Sequence, residues 1–258
     1  MIDVTCVIPV YANPGELRVT FDSFLQVATS LQDLNFELIV VDGCLDKPSK
    51  SVISTKGFPV NCSIVYCNEF DFGPYDAMNK GLDLARGRWI WFLNSGDQVH
   101  KFCLPKSLLS DCSLIVGSWI SSSIQRSFYP TLDSGISHRE SCEIGYGLCH
   151  QSMLFSASYC RSHRFDFPRY RYAAELKFFI PALIDNDYLV DHHFQCIYDS
   201  STGLSKRFAW RHWLEVMRVY QHYQLPVPIH RIIYRSISAV RLQVRSIIYR
   251  QWHQIFRI

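Results

Sequence analysis

Apolar residues along the first hundred positions fall into two alternating patterns. Short β-branched or near-continuous apolar runs appear at VTCVIPV (4–10), FELIVVDG (36–43), SIVYCNE (63–69) and RWIWFLN (88–94), and each reads as a strand. Between them, ELRVTFDSFLQVAT (16–29) places Leu17, Phe21, Phe24, Leu25 and Ala28 on one helical face, and YDAMNKGLDLARG (75–87) reads as a helix closed by Gly87. The order β-α-β-β-α-β predicts a mostly parallel sheet with helices on its faces. In such sheets ligands bind at the carboxyl ends of the strands. Three of these ends carry small or polar residues, namely Tyr11-Ala12-Asn13, Asp42-Gly43 and Asn94-Ser95-Gly96-Asp97, and they are expected to converge on one crevice.

Beyond residue 98 the pattern weakens. SLIVGSWI (113–120) is a strand candidate, LCHQSMLFSA (148–157) has strand character around a His-Gln pair, and RYAAELKFFIPALI (171–184) is helical up to Pro181. The last segment, 230–258, puts Ile233, Ile237, Val240, Val244, Ile247 and Ile248 on one side of a helix and Arg231, Arg235, Arg241, Arg245 and Arg250 on the other.

Composition bounds the class. The chain has 258 residues, 48% of them hydrophobic and 19% charged, which suits one globular domain with an appendage. The net charge of +3 is unevenly divided: residues 205–258 hold ten basic side chains and one acid, Glu215, which gives +9 and leaves −6 for residues 1–204. The expected division is therefore a body, 1–204, and a basic helical extension, 205–258. Ten scattered cysteines, none paired at two-residue spacing, argue for reduced thiols and a cytoplasmic setting rather than a disulfide framework or a zinc site. Residues 1–10 do not form a signal peptide, and no apolar run approaches the roughly 20 residues that span a bilayer.

The strand ends carry the candidate chemistry. Asp97 after a buried strand suits a hard divalent cation that takes oxygen ligands, although Asn94, Gly96 and Asp97 are also ordinary turn formers. Asp42 can accept hydrogen bonds from a base or ribose, or simply cap a turn. The glycine fingerprint of dinucleotide sheets is absent after the first strand, where Tyr11-Ala12-Asn13-Pro14-Gly15 stands, and no phosphate-cradling Gly-Lys-Ser/Thr loop occurs. These absences disfavour a Rossmann dehydrogenase and a P-loop NTPase.

Four segments, VIPVYANPGELRVTFDSF, ELIVVDGCLD, DFGPYDAMNKGLDLARGRWIWFLNSGD and CHQSMLF, resemble the family 2 inverting, nucleotide-sugar-dependent glycosyltransferases of GT-A fold, over roughly residues 1–185. The subgroup they look closest to builds bacterial surface polysaccharides such as exopolysaccharide, capsule or O-antigen. The resemblance implies an α/β GT-A body with a nucleotide-sugar-binding half, 1–97, and an acceptor half, 98–204. It implies that Asp42 contacts the base beside a wall formed by Pro9, Val10 and Tyr11, and that Asp71, Asp76, Asn79 and Lys80 flank the same pocket. Asn94 and Ser95 join the nucleotide site, and Asp97 binds Mn2+ or Mg2+ in a motif whose fuller form has more than one acid. His150 is a further metal-ligand candidate, and Gln151 is placed at the donor or acceptor sugar.

The family's general base, usually Asp, falls here on Glu175, with Asp166, Asp185 and Asp187 in reserve. The donor implied is a UDP-sugar ahead of a GDP-sugar, and the acceptor a glycan or lipid-linked hydroxyl. The basic helix 230–258 is expected to lie on the inner face of the cell membrane or to pack against the body or a second subunit, rather than to bind nucleic acid. Two other readings compete: a sugar-phosphate nucleotidyltransferase, disfavoured by the missing Gly-rich basic loop after the first strand, and an inactive nucleotide-sugar-binding module.

Overall fold

A computed structural model describes residues 1–53, 58–103, 107–123, 125–130, 148–199 and 208–226. The basic segment 230–258 lies outside the described residues. Five helices are used below: α1 (Pro14–Ser30), α2 (Pro74–Leu84), α3 (Ala157–Ser162), α4 (Ala174–Ile184) and α5 (Ala209–His222).

Nine described strands form one sheet: β1 (Val4–Val10), β2 (Phe36–Asp42), β3 (Cys62–Asn68), β4 (Trp89–Phe92), β5 (Gln98–Phe102), β6 (Leu114–Ser121), β7 (Arg126–Phe128), β8 (Met153–Ser156) and β9 (Tyr188–Tyr198). The order across the sheet is β3-β2-β1-β4-β8-β6-β9-β5, and β7 pairs with β6 off that path. The parallel block expected from the first hundred residues is present as β3-β2-β1-β4. The sheet then turns mixed: β8 runs antiparallel to both β4 and β6, β9 parallel to β6, and β5 antiparallel to β9.

Every residue of β1, β2 and β4 is buried, which is what a strand covered on both faces requires. Side-chain alternation splits them between two cores. Cys6, Ile8, Leu38, Val40, Trp89 and Trp91 face α1 through Leu17, Phe21 and Phe24. Val7, Ile39, Val41, Ile90 and Phe92 face the opposite side, with Met78 of α2, Phe178 of α4 and Val216, Val219 and Tyr220 of α5. The helix α5 therefore packs into the core of the body, although its sequence belongs to the basic stretch.

Local signals start the helices that reach the cleft. Asn13 Oδ1 accepts the Glu16 N–H at 3.1 Å, and Pro14 occupies the first turn of α1. Three local expectations are corrected. Helix α2 ends at Leu84, with Ala85 as its extended cap, rather than at Gly87. His150-Gln151-Ser152 form one turn of 3₁₀ helix that leads into β8, rather than part of a strand. Helix α4 does not stop at Pro181 but runs to Ile184. Proline removes the N–H that would reach the Lys177 carbonyl, and the Tyr223 hydroxyl donates to that carbonyl at 3.4 Å instead. The described cysteines are all free, and Cys142 lies outside the described residues. Among the described residues no helix is long and apolar enough to cross a membrane.

Candidate active site

A cleft of about 2010 Å³ opens along the carboxyl ends of β1, β4 and β9. Among the residues singled out in the sequence, Pro9, Val10, Tyr11, Asn13, Asp71, Asn94, Ser95, Asp97, His150, Gln151 and Glu175 line it. They come from segments separated by up to 166 positions in the chain, and the fold brings them together.

The turn after β4 is held rigidly. Thr20 of α1 donates its hydroxyl to the carbonyl of Asp97 at 2.8 Å and receives the Gly96 N–H at 2.9 Å. Ser95 Oγ donates to the Pro9 carbonyl at 2.7 Å, which ties the turn to β1. Gly96 has φ +96, a left-handed conformation that glycine adopts without cost. The result places Asp97 with only 2% of its surface exposed. Its Oδ1 accepts the backbone N–H of Asp199 at 2.7 Å, while its Oδ2 is buried and has no hydrogen-bond partner. Burial pushes the Asp97 carboxyl up to about 8; the Asp199 N–H and the nearby Gln151 side chain oppose the rise, and the Asp199 charge adds to it.

A divalent cation is implied at this point, and the residues present fit one. Asp97 Oδ2 and Asn94 Oδ1 are buried oxygens without partners, the kind of ligand a hard cation takes. His150 Nε2 is also buried and unpaired, and burial lowers this imidazole to about 4, so it is neutral. However, among the described residues no three His, Cys, Asp or Glu side chains converge on one point. His150 is thus not joined to Asp97 in a ready-made cage, and substrate oxygens would have to complete the coordination.

Glu175 lines the same cleft, in the first turn of α4, and is half-buried. The Tyr75 hydroxyl donates to its Oε2. Burial raises the Glu175 carboxyl above its usual range, opposed by His212 and by the Tyr75 hydrogen bond, while Glu215 reinforces it. The reserve acids stand elsewhere: Asp166 pairs with Lys177 at 2.7 Å, and Asp185 and Asp187 follow the far end of α4, off the cleft.

Helix α5 positions this acid, a role the sequence reading missed. The buried carboxylate of Glu215 accepts three successive backbone N–H groups, Arg171 at 3.0 Å, Tyr172 at 2.6 Å and Ala173 at 3.0 Å, just ahead of α4. His212, one turn earlier, bonds through Nδ1 to the Tyr172 carbonyl at 2.7 Å; a carbonyl only accepts, so Nδ1 carries the proton. Ionised hydrogen bonds to backbone N–H groups are the strong kind, so Glu175 is held from two sides. Glu215→Gln is expected to lower kcat about tenfold with donor affinity unchanged, since one amide cannot accept three such bonds with the same strength. It should also move the acidic limb of the pH–rate profile to lower pH, because a negative charge that raises Glu175 is gone. A purely structural role would leave that limb in place.

Four other predicted residues do not line the cleft. Asp42 is fully buried, and its carboxylate already accepts Cys44 N–H at 3.0 Å, Ser49 N–H at 2.5 Å and the Tyr66 hydroxyl at 2.7 Å. It shapes the loop after β2. Asn79 clamps both the N–H and the carbonyl of Phe165, at 3.0 and 2.8 Å. Asp76 accepts the Phe72 N–H at 3.0 Å. Lys80 bonds the Phe70 carbonyl and pairs with Glu69 at 3.1 Å and Asp76 at 3.8 Å, so it steadies the loop that carries Asp71. Among the described residues, the arginines that line the cleft are instead Arg171 and Arg211, one before α4 and one on α5.

The sequence profile of Glycosyl transferase family 2 matches residues 5–165, more than half of the chain. The chain belongs to this family. Its member here shares 33% identity over 67 residues with a PGL/p-HBAD biosynthesis glycosyltransferase of Mycobacterium tuberculosis, 26% of each chain. It shares 31% over 94 residues with an uncharacterized glycosyltransferase of Haemophilus influenzae, 36% of this chain and 29% of the other. The chain thus spans between a quarter and a third of the length of these curated relatives. Among solved structures, S. aureus TarS 1-349 in complex with UDP superposes with a TM-score of 0.64 at 15% identity, over 84% of this chain and 65% of that one. The mannosyltransferase PcManGT of Pyrobaculum calidifontis, in complex with GDP-Man and Mn2+, gives 0.58 at 12%, over 92% and 69%. At these identities the likeness concerns the fold, and the family 2 glycosyltransferase has the GT-A fold.

Proposed function

We propose that this family 2 member transfers a hexosyl or N-acetylhexosaminyl residue from a nucleotide-sugar donor to a hydroxyl of a glycan or lipid-linked acceptor, with inversion, in bacterial surface-glycan synthesis. The observation that carries the reading is the pairing of Asp97 with Glu175 in one cleft: a buried carboxylate with an unpartnered oxygen, and a second carboxylate raised above its usual range by burial. The nucleoside diphosphate lies against Pro9, Tyr11 and the turn 94–97. Tyr11, 69% exposed at the cleft edge, offers a ring face to the base.

Glu175 takes the proton from the acceptor hydroxyl as its oxygen attacks the anomeric carbon. The bond from that carbon to the diphosphate breaks on the opposite face, so the configuration inverts. Tyr75 orients the receiving carboxylate. When bound at Asp97, Mn2+ or Mg2+ would neutralise charge on the departing diphosphate. Arg171 and Arg211 line the same cleft and add positive charge to it. The basic amphipathic pattern at 230–258 favours a peripheral position at the inner face of the cell membrane, beside a lipid-linked acceptor.

Calorimetry with UDP-GlcNAc, UDP-glucose, UDP-galactose and GDP-mannose, followed by donor turnover with and without Mn2+, tests the reading. At least one donor is expected to bind in the micromolar range and to be hydrolysed slowly without acceptor. Binding of none of the four would sink it.

A further inference from the structure

The turn Asn94-Ser95-Gly96-Asp97 carries one acid, and a single carboxylate is a poor holder of a divalent cation, whose affinity follows the ligand charge gathered around it. The fold brings a second acid to the same place from 102 positions further along the chain. Asp199 immediately follows β9, lines the cleft, and donates its backbone N–H to Asp97 Oδ1 at 2.7 Å. Its Oδ1 accepts the Ser122 hydroxyl at 3.2 Å. Its Oδ2 lies against Gly96, 3.7 Å from where a Cβ would stand.

Two carboxylates set side by side repel each other, and one of them, Asp97, is almost wholly buried with Oδ2 unpartnered. Proteins rarely bury a bare carboxylate oxygen next to another acid without something that compensates the charge. The backbone bond from Asp199 fixes Asp97 Oδ1 and leaves Oδ2 as its available ligand atom. The Ser122 hydroxyl steadies Asp199 in the way that outer hydrogen bonds commonly orient metal ligands. Asn94 Oδ1, buried and unpaired in the same turn, adds a neutral oxygen.

We propose that Asp199 is the second carboxylate of the cation site, replacing the acids that the turn 94–97 lacks, so that Mn2+ or Mg2+ is held between Asp97 and Asp199. This rests on the reading of Asp97 as a metal ligand. It assigns the end of β9, in the acceptor half, a direct part in donor binding, so the cation ties the two halves of the sheet together.

The full-length protein is titrated with Mn2+ by electron paramagnetic resonance, alone and with UDP. Asp199→Asn keeps the size of the side chain and the backbone N–H on Asp97 while it removes the negative charge. It is expected to weaken Mn2+ binding at least tenfold while leaving UDP affinity in EDTA unchanged. The Mn2+-induced rise in Tm, which reads only folded protein, should shrink in parallel, and Asp199→Ser repeats the test should the Asn variant fold poorly. Wild-type Mn2+ affinity in Asp199→Asn overturns the proposal. Asp97→Asn separates the two readings: loss of Mn2+ there with none in Asp199→Asn overturns the role of Asp199 alone, and loss in neither overturns the cation site as a whole.

Discussion

Glu175→Gln is expected to abolish transfer, with kcat down by about 10²–10⁴-fold, the range that general acid–base groups supply. Donor affinity should be unchanged, because the proposed role of Glu175 is toward the acceptor hydroxyl and not the nucleotide. The substitution is nearly isosteric, and the Tyr75 hydroxyl can still donate to the amide oxygen, so the wall should keep its shape. The pH profile makes the test specific. Burial raises the Glu175 carboxyl above its ordinary value of 4.5, and a base works only when ionised. Wild-type activity should therefore fall as pH drops through a value above 4.5, and the residual activity of Glu175→Gln should lack that limb. Transfer that persists with the limb intact would assign the base elsewhere, but Asp166 is held by Lys177, and Asp185 and Asp187 are off the cleft.

The first half of this fold was legible because its strands are buried on both faces and its helices present one apolar stripe. FELIVVDG and RWIWFLN are near-continuous apolar runs, and Leu17, Phe21, Phe24 and Ala28 form the buried stripe of α1. The second half hid itself for an equally physical reason. Its strands pair far from their sequence neighbours: β6 lies between β8 and β9, with a register shift after Val116, and β5 closes on β9 at the sheet edge. Periodicity carries no information about such partners. Pro181 misled because the helix it should end is repaired by a tyrosine hydroxyl 46 positions from the carbonyl it serves.

The site divides in the same way. Acids and small residues at the ends of β1 and β4 were visible as breaks after apolar runs, and both ends reach the cleft. Asp42 has the same signature, yet its carboxylate is consumed by its own loop, and no local pattern distinguishes the two cases. Asp199 follows β9 as Asp97 follows β4, so the exit rule applied to the last strand would have found it. Glu215 had a signal of another sort: it is the one acid among ten bases in residues 205–258. An acid retained in so basic a stretch, on a helix whose other face is apolar, marks a fixed partner. That partner is the row of N–H groups ahead of Glu175.

Removal of Asp97 should have a comparably large effect through a different step. Asp97→Ala is expected to lower donor turnover by about 10³-fold, the scale of several kcal/mol that a cation contributes to a leaving group's developing charge. Asp97 anchors its turn through its own carbonyl, to Thr20, so the turn should survive, and what is lost is the carboxylate together with the hydrogen bond it accepts from the Asp199 N–H. Folding should even gain, because a carboxyl that burial pushes up to about 8 costs stability wherever it ionises, from the unfolded value near 3.8 upward. An alanine variant that is as stable as wild type or more so, yet inactive at every Mn2+ concentration, is the expected pair of results, read by thermal denaturation at neutral pH and by nucleotide release. Near-normal turnover in saturating Mn2+ would show that the departing diphosphate is neutralised without Asp97, and would shift that role to Arg171 and Arg211, which line the same cleft.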